Sequence, residues 1–401
     1  MHDSTKKPIE VVFYEPYPMG IGGNFKTQLL ILERLDPKLF HPIVVAPLEG
    51  VALDRYRALG IECIVMPPRG QLGKYGGAIL RTGLWRRMES ALDLLQYNLQ
   101  MARLFRTRRV DLIYANCVRA QMSIGFAALL TAVPTILYVK GVLANPIIDR
   151  LCIIMASRIL FFCEKNRDDK YPLLVRWLQR KISILPTGLD PTAIAEAQRR
   201  NHSDLREELD ISPNRLNTVV LGQLYEPKGQ HLAIEALSRL ISDFPDVRLY
   251  FVGDHVIDEY RQYKSKLENL IAERGLTEHV RFTGWRRDAL DILSLMDTVI
   301  HPSLAEGFGR AILESMALGK PVIASAVGAV REAIQDGRNG YLVSPGDVEA
   351  IARKWRGLLS DPELRARLGR EARETVFANY LIDDKVKRLS EIWTQMVVEK
   401  T

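Results

Sequence analysis

Ile9-Glu10-Val11-Val12-Phe13-Tyr14, then Gly20-Ile21-Gly22-Gly23, then an apolar pattern of helical period over residues 25–35: this opening decides the fold class. A short run of β-branched and aromatic residues reads as a buried strand, the glycines turn the chain, and the helical period lays the next segment on the sheet. Strand, glycine loop and helix in that order begin a doubly wound α/β layer. Working outward, short apolar runs recur at 42–46, 62–66, 112–115, 135–139, 159–163 and 182–185, with helical stretches between them. Their near-continuous apolar character predicts parallel strands covered on both faces. A polar interval over 195–215, with His202, Asp204 and Pro213, predicts a helix and loop joining two units. Alternation restarts at 218–222, 247–253, 280–284, 298–301, 322–325 and 341–343. A second doubly wound sheet is expected there, and two such sheets in succession imply a ligand cleft at their carboxyl ends.

The chain has 401 residues, more than one ordinary core holds, so two domains are expected. Cys63, Cys117, Cys152 and Cys163 have neither paired spacing nor a histidine run beside them, so no zinc site and no disulfide framework is expected. The polar residues 1–8 lack the apolar stretch of a signal peptide, and the longest apolar run, 124–139, contains Pro134 and falls short of the roughly 20 residues that span a bilayer. A cytoplasmic protein is the expectation. The net charge of +7 is unevenly shared: residues 1–190 hold 26 Lys+Arg against 16 Asp+Glu, and the remainder 29 against 32. A basic first half should face something anionic. Residues 81–109 and 165–181 concentrate it, with Trp85 and Trp177 beside the basic residues. That pattern serves either a solvated helix face or a peripheral contact with an anionic membrane. A nucleic-acid role, which the pI of about 9.1 invites, lacks any motif.

The segment that carries chemistry is Glu306-Gly307-Phe308-Gly309-Arg310-Ala311-Ile312-Leu313-Glu314, between a strand ending at His301-Pro302 and a helix ending near Leu318-Gly319. Gly307 and Gly309 let backbone approach a ligand, and the helix start at 309–311 offers free amides and a positive dipole end. Such a turn suits a pyrophosphate or a sugar, and the two carboxylates, on the loop and one turn into the helix, accept hydrogen bonds from vicinal hydroxyls. His301 reads as a strand-end residue that faces the cleft in a packing role, since a lone histidine lacks the co-ligands a metal needs. No metal site is indicated.

These residues resemble the GT-B retaining glycosyltransferases of family 4, most strongly over 221–347. The resemblance implies two Rossmann-like doubly wound domains facing across a cleft: an acceptor-binding domain at 1–190, a nucleotide-sugar-binding domain at 191–376, and a helix over 377–401 crossing back to the first. It further implies that Glu306 holds the donor sugar, that Phe308 and Gly309 offer amides to it, and that Glu314 holds the ribose hydroxyls. Gly222, Gln223 and Lys228-Gly229 match the phosphate-binding loop, with Arg310 as a helper to Lys228. Gly253 and Trp285 fall where the base pocket lies, and Gly22 and Gly23, with Gly20, match the glycine loop over the donor phosphates. The catalytic set implied is Glu306, Lys228 and Lys140.

Four positions depart from the pattern, the first being Ala115-Asn116-Cys117 at a strand end that commonly bears a histidine. Gln223 stands for an arginine, Lys140-Gly141 for a histidine, and Thr187-Gly188-Leu189-Asp190 for an Asn-Gly-x-Asp signature. Retaining transfer in this family relies on positioning and charge more than on a side-chain base, so the departures question the donor's identity first. The function implied is metal-independent transfer of a hexosyl group, without a cofactor, from a nucleoside diphosphate sugar to a glycan or lipid-linked acceptor in polysaccharide or glycolipid assembly. Two alternatives remain open: a catalytically silent nucleotide-sugar-binding protein and a non-hydrolysing nucleotide-sugar epimerase.

Overall fold

The structure is a computed structural model that describes residues 7–20, 22–69, 84–140, 146–164, 167, 172–255, 261–307 and 309–399. Phe308, Ile21, Gly141, Lys165, Lys170 and the segment 70–83 lie outside the described residues, as do the side chains of Trp85, Arg86 and Arg87.

The first sheet has seven strands: β1 (Ile9–Tyr14), β2 (Phe40–Ala46), β3 (Glu62–Val65), β4 (Leu112–Ala115), β5 (Thr135–Val139), β6 (Arg158–Phe161) and β7 (Ile182–Ile184). Their order is β3-β2-β1-β4-β5-β6-β7, with every ladder parallel. The second has six: β8 (Asn217–Leu221), β9 (Arg248–Val252), β10 (Val280–Gly284), β11 (Thr298–His301), β12 (Val322–Ser325) and β13 (Tyr341–Val343). It runs β10-β9-β8-β11-β12-β13, again with parallel ladders. In both sheets the order reverses beside the first strand, at β1/β4 and at β8/β11, the topological switch where such sheets leave a crevice at their carboxyl ends.

The chain forms two compact units: Met1–Gly188 with Ile382–Thr401, and Leu189–Leu381. The crossings fall two and five residues from the boundaries expected at 190 and 376. The reason is local. Leu189 N–H donates to the Tyr380 carbonyl at 2.8 Å, so both crossings occur at one point. The helix capped by Asp361, whose carboxylate accepts from Leu364 N–H at 2.9 Å, runs Pro362–Asn379, past the end expected near Thr375. Its last turns bury Val376 in the second unit's core.

The polar interval, expected to join the two units, lies within the second: it forms two short helices, Pro191–Arg199 and Ser203–Glu208, and Leu205 and Leu209 pack against that unit's own core. The final helix, Ile382–Val398, belongs to the first unit. Its Trp393 is fully buried, with ring centroids 5.3 Å from Phe40, 5.6 Å from Tyr114 and 5.8 Å from Phe13. Edge-on aromatic packing of this kind gives the helix's large side chains the partner surface they need.

Candidate functional site

Strand β11 delivers His301 to the carboxyl edge of the second sheet, and Pro302, which has no N–H to extend a ladder, turns the chain out of it. The loop then carries Glu306 to the start of the helix Arg310–Ala317. One carboxylate oxygen of Glu306, Oε2, accepts from the Lys228 ammonium and lies 2.9 Å from His301 Nε2. The other, Oε1, accepts from the Gly307 backbone N–H at 3.0 Å. Ser303 Oγ stands 3.2 Å from the same His301 nitrogen. The Glu306 side chain keeps 12% of its surface exposed and Lys228 23%, which leaves the pair partly accessible. Burial works against the ionised carboxyl of Glu306, but hydrogen bonds and attraction from His301 and Lys228 together override it. The acid is therefore held well below the usual carboxylate range.

Two glycines set this geometry. Lys228 ends a one-turn helix, Glu226–Lys228, and Gly229 follows it at φ +71°, where a Cβ would lie 2.1 Å from the Pro302 carbonyl oxygen. Gly328, at φ +52°, passes so close to the loop that a Cβ would lie 2.3 Å from the Glu306 carbonyl oxygen. Backbone bonds complete the join: Leu304 N–H to Pro227 O at 2.8 Å and Ala329 N–H to Gly307 O at 3.1 Å. The lysine and the glutamate are thus presented by loops locked to each other through backbone.

The remaining site residues of the second unit divide into two groups. Gly309, at φ +75°, is the N-cap of the helix, and one turn on Glu314 accepts from Arg310 at 3.2 Å, with both side chains mostly covered. Glu306 and Glu314 therefore have different basic partners. Gly222 N–H donates to Val252 O at 2.9 Å and Gly253 N–H to Gly284 O at 2.9 Å, which ties the ends of β8, β9 and β10 together. The Gln223 carbonyl accepts from Gln230 Nε2 at 2.8 Å. Trp285 is 59% exposed, with the Arg287 guanidinium 6.0 Å from its ring.

Gly22, Gly23 and Lys140 belong to the first unit. Gly22 is the extended N-cap of the helix Gly23–Arg34. Lys140 follows β5, with its ammonium 4.5 Å from the Tyr138 ring. Its neighbour in charge is Glu15, at the end of β1, which the sequence reading passed over. Glu15 is 3% exposed and accepts from Tyr17 N–H at 3.0 Å and Tyr56 O–H at 2.9 Å. Burial raises its pKa, and the two hydrogen bonds and Lys140 only partly oppose that. Asn116, at the end of β4, donates to Gln28 at 2.7 Å, and Thr187 stands 3.4 Å from Thr27. An acid directly after the first strand was the available signal for Glu15. For His301 it was the five-residue spacing to Glu306.

Among the described residues no cluster of three or more His, Cys, Asp and Glu is placed to hold a metal ion, and no helix is long and apolar enough to cross a membrane.

Comparison with known proteins agrees with this architecture. The family described as glycosyl transferases group 1 matches residues 201–375. The lipopolysaccharide core biosynthesis glycosyltransferase LpsE of Rhizobium meliloti is 33% identical over 175 residues, 44% of this chain and 48% of that protein. Putative glycosyltransferase EpsD of Bacillus subtilis is 35% identical over 46% of each. The chain thus matches about half the length of these relatives. A longer match, 23% identical over 75% of this chain and 80% of the relative, is to the UDP-Gal:alpha-D-GlcNAc-diphosphoundecaprenol alpha-1,3-galactosyltransferase of Escherichia coli. Among solved structures, a glycosyltransferase from Rickettsia africae superposes with a TM-score of 0.83 at 19% identity, covering 98% of this chain and 99% of that one. HepE of Anabaena in complex with UDP superposes at 0.80 and 21% identity, covering 96% and 100%. The chain has the GT-B fold, and its residues 201–375 match the family described as glycosyl transferases group 1.

Proposed function

We propose that this chain is a retaining, metal-independent glycosyltransferase that moves a hexosyl group from a nucleoside diphosphate sugar to a glycan or lipid-linked acceptor. The observation that carries the reading is the convergence of Lys228, His301 and the Gly307 amide on the carboxylate of Glu306, beside a helix start. A carboxylate kept ionised by that set accepts hydrogen bonds from sugar hydroxyls, and the lysine beside it offers charge to a diphosphate. Arg310 adds a second cation at the helix start, and Glu314 is the acceptor for ribose hydroxyls. Trp285, exposed beside the end of β10, is the candidate to stack on the base.

In the reaction, the bond from the anomeric carbon to the diphosphate oxygen breaks as the acceptor hydroxyl bonds to that carbon on the same face. The hydroxyl's proton passes to the departing phosphate oxygen. Lys228 and Arg310 stabilise the negative charge that grows on the diphosphate, the term that dominates such chemistry. Lys140, which follows β5 in the first unit, is the proposed cation for a hydroxyl, acidic or phosphate group of a substrate.

A lipid-linked acceptor is supported by the likeness to the diphosphoundecaprenol-dependent enzyme and to a lipopolysaccharide core enzyme, and by the basic excess of residues 1–190. We place the protein in polysaccharide or glycolipid assembly, peripheral to the cytoplasmic face of a membrane. The test follows release of nucleoside diphosphate from UDP, GDP and ADP sugars with and without extracted lipid acceptor. Acceptor-dependent release is expected. Saturable binding without turnover would mark a silent binding protein, and a changed sugar without acceptor an epimerase.

A further inference from the structure

Large apolar side chains are left exposed at very unequal density along the chain. Met88, Leu92, Leu95 and Leu99 project from the helix Leu84–Arg108, Phe126, Leu129 and Leu130 from Val118–Thr131, and Ile147, Leu151 and Ile154 from Pro146–Met155. Trp177 adds an indole that is 73% exposed. The second unit, by contrast, exposes among its described residues only Trp285 and Leu304.

These positions lie on one side of the first unit. Tyr97, Met101 and Phe105 of the first helix, Ile124 and Ala127 of the second, Cys152 and Ile153 of the third, and Leu178 share one buried cluster on a single face of the seven-stranded sheet. Buried stripes that share a core must turn their opposite stripes outward together. The exposed spacing agrees: 88, 92, 95 and 99, and 147, 151 and 154, are each one helical stripe. Neighbouring helices are fastened by Asn98 Oδ1, which accepts from Ala127 N–H at 2.8 Å, and by Arg106, which donates to Leu130 O at 3.0 Å. The result is a broad apolar surface, rare on a soluble monomer.

The charges around it choose the occupant. Arg103 and Arg106 on the first helix, Arg150 on the third and Arg176 beside Trp177 are exposed. Against them stand Glu89 and Asp93 on the first helix, while Asp149 is buried. Leucine, isoleucine, phenylalanine and an exposed tryptophan among arginines match the boundary between acyl chains and anionic headgroups.

We propose that the outer face of these three helices, with Trp177, docks the first unit onto an anionic bilayer by shallow insertion of Leu92, Leu99, Leu151 and Ile154. This deepens the lipid-linked acceptor reading and rests on it. The docking surface lies on helices apart from Glu306 and Lys228, so it can be tested separately from the donor site.

The experiment is flotation of the full chain with vesicles of phosphatidylcholine alone and of an equimolar mixture with phosphatidylglycerol. The wild type is expected to float with the mixed vesicles far more than with the neutral ones. The variant Leu92→Glu/Leu151→Glu/Ile154→Glu, at positions already exposed, is expected to lose at least about tenfold in vesicle affinity. Nucleoside diphosphate binding, measured in the same preparation, stays at the wild-type level. Docking is overturned if the wild type ignores mixed vesicles, if the variant floats as well as wild type, or if sedimentation shows that this face instead pairs two copies. Acceptor-dependent turnover on a detergent-dispersed acceptor would leave the transferase reading intact in each of those cases.

Discussion

Replacing Glu306 with glutamine changes one oxygen for an amide nitrogen and nothing else in size. In the wild type both carboxylate oxygens are acceptors: Oε2 for Lys228 and His301, Oε1 for the Gly307 N–H. An amide has one acceptor oxygen and two donor hydrogens, so in either orientation its NH2 faces a donor. The favoured orientation gives the oxygen to Lys228 and His301 and abandons the Gly307 N–H. Leaving one such group unsatisfied costs about 1–3 kcal/mol, and the ionic half of the lysine contact is lost as well. The same carboxylate is the proposed acceptor for sugar hydroxyls as the bond breaks, where loss of one preorganised contact costs about 2.7–4 kcal/mol. Turnover should therefore fall about 100- to 1,000-fold, at 1.36 kcal/mol per factor of ten. The assay is acceptor-dependent release of nucleoside diphosphate, with thermal unfolding followed in parallel. A Glu306→Gln protein that transfers sugar within a factor of about two of wild type would refute the reasoning, whatever its stability.

Four further outcomes are expected. The folded Glu306 carboxyl titrates below its ordinary value of 4.5, so it contributes stability that is full above that pH and fades as acid approaches the folded value. The stability gap between wild type and Glu306→Gln should thus be flat from neutral pH down to about 5 and narrow below it, which a series of melts would show. Gly328→Ala, with its Cβ 2.3 Å from the Glu306 carbonyl oxygen at a positive φ, should lower stability by about 2–4 kcal/mol and slow turnover; a silent substitution would mean the loop carrying Glu306 is not held there. Trp393→Ala opens a cavity among Phe13, Phe40 and Tyr114 and should cost about 3–5 kcal/mol in chemical denaturation. Trp285→Ala should leave the melting temperature unchanged, since the ring is 59% exposed, yet raise the donor KM; an unaltered KM removes it from the base pocket.

How much of this was legible in the sequence depends on what kind of fact is asked for. Most strands of the two sheets coincide with an apolar run, because a parallel strand covered on both faces must be apolar almost throughout, whereas the edge strand β10 is half-buried and carries Arg281 and Thr283. The final helix announced its need for a partner through Leu389, Ile392, Trp393 and Met396, since burying an indole requires a surface to receive it. The Glu306 to Glu314 segment was legible as a loop running into a helix start, from its glycines and the apolar pattern after them. What lay beyond reach were pairings between distant positions. Lys228 and Glu306 are 78 residues apart, and Gly328 touches Glu306 by backbone alone, which no side-chain pattern records. His301 reads as packing because a lone histidine usually is, and only the fold shows its ring turned to the carboxylate. The arginine-rich stretch 81–109 suggests by its charge either a solvated face or a membrane contact, and four of its apolar side chains stand in solvent beside the arginines. Periodicity finds the stripe a helix buries, but it does not tell which second stripe is left uncovered.

The central claim, that Lys228 and Glu306 form the pocket for a nucleoside diphosphate sugar, is tested most directly by titrating the full chain and its Lys228→Ala variant with UDP, GDP and ADP in a calorimeter. The account predicts that one of the three binds the wild type and that the variant binds it at least about tenfold more weakly, the share of a charge-assisted contact. Equal affinity in both proteins, or no binding of any of the three, would contradict it.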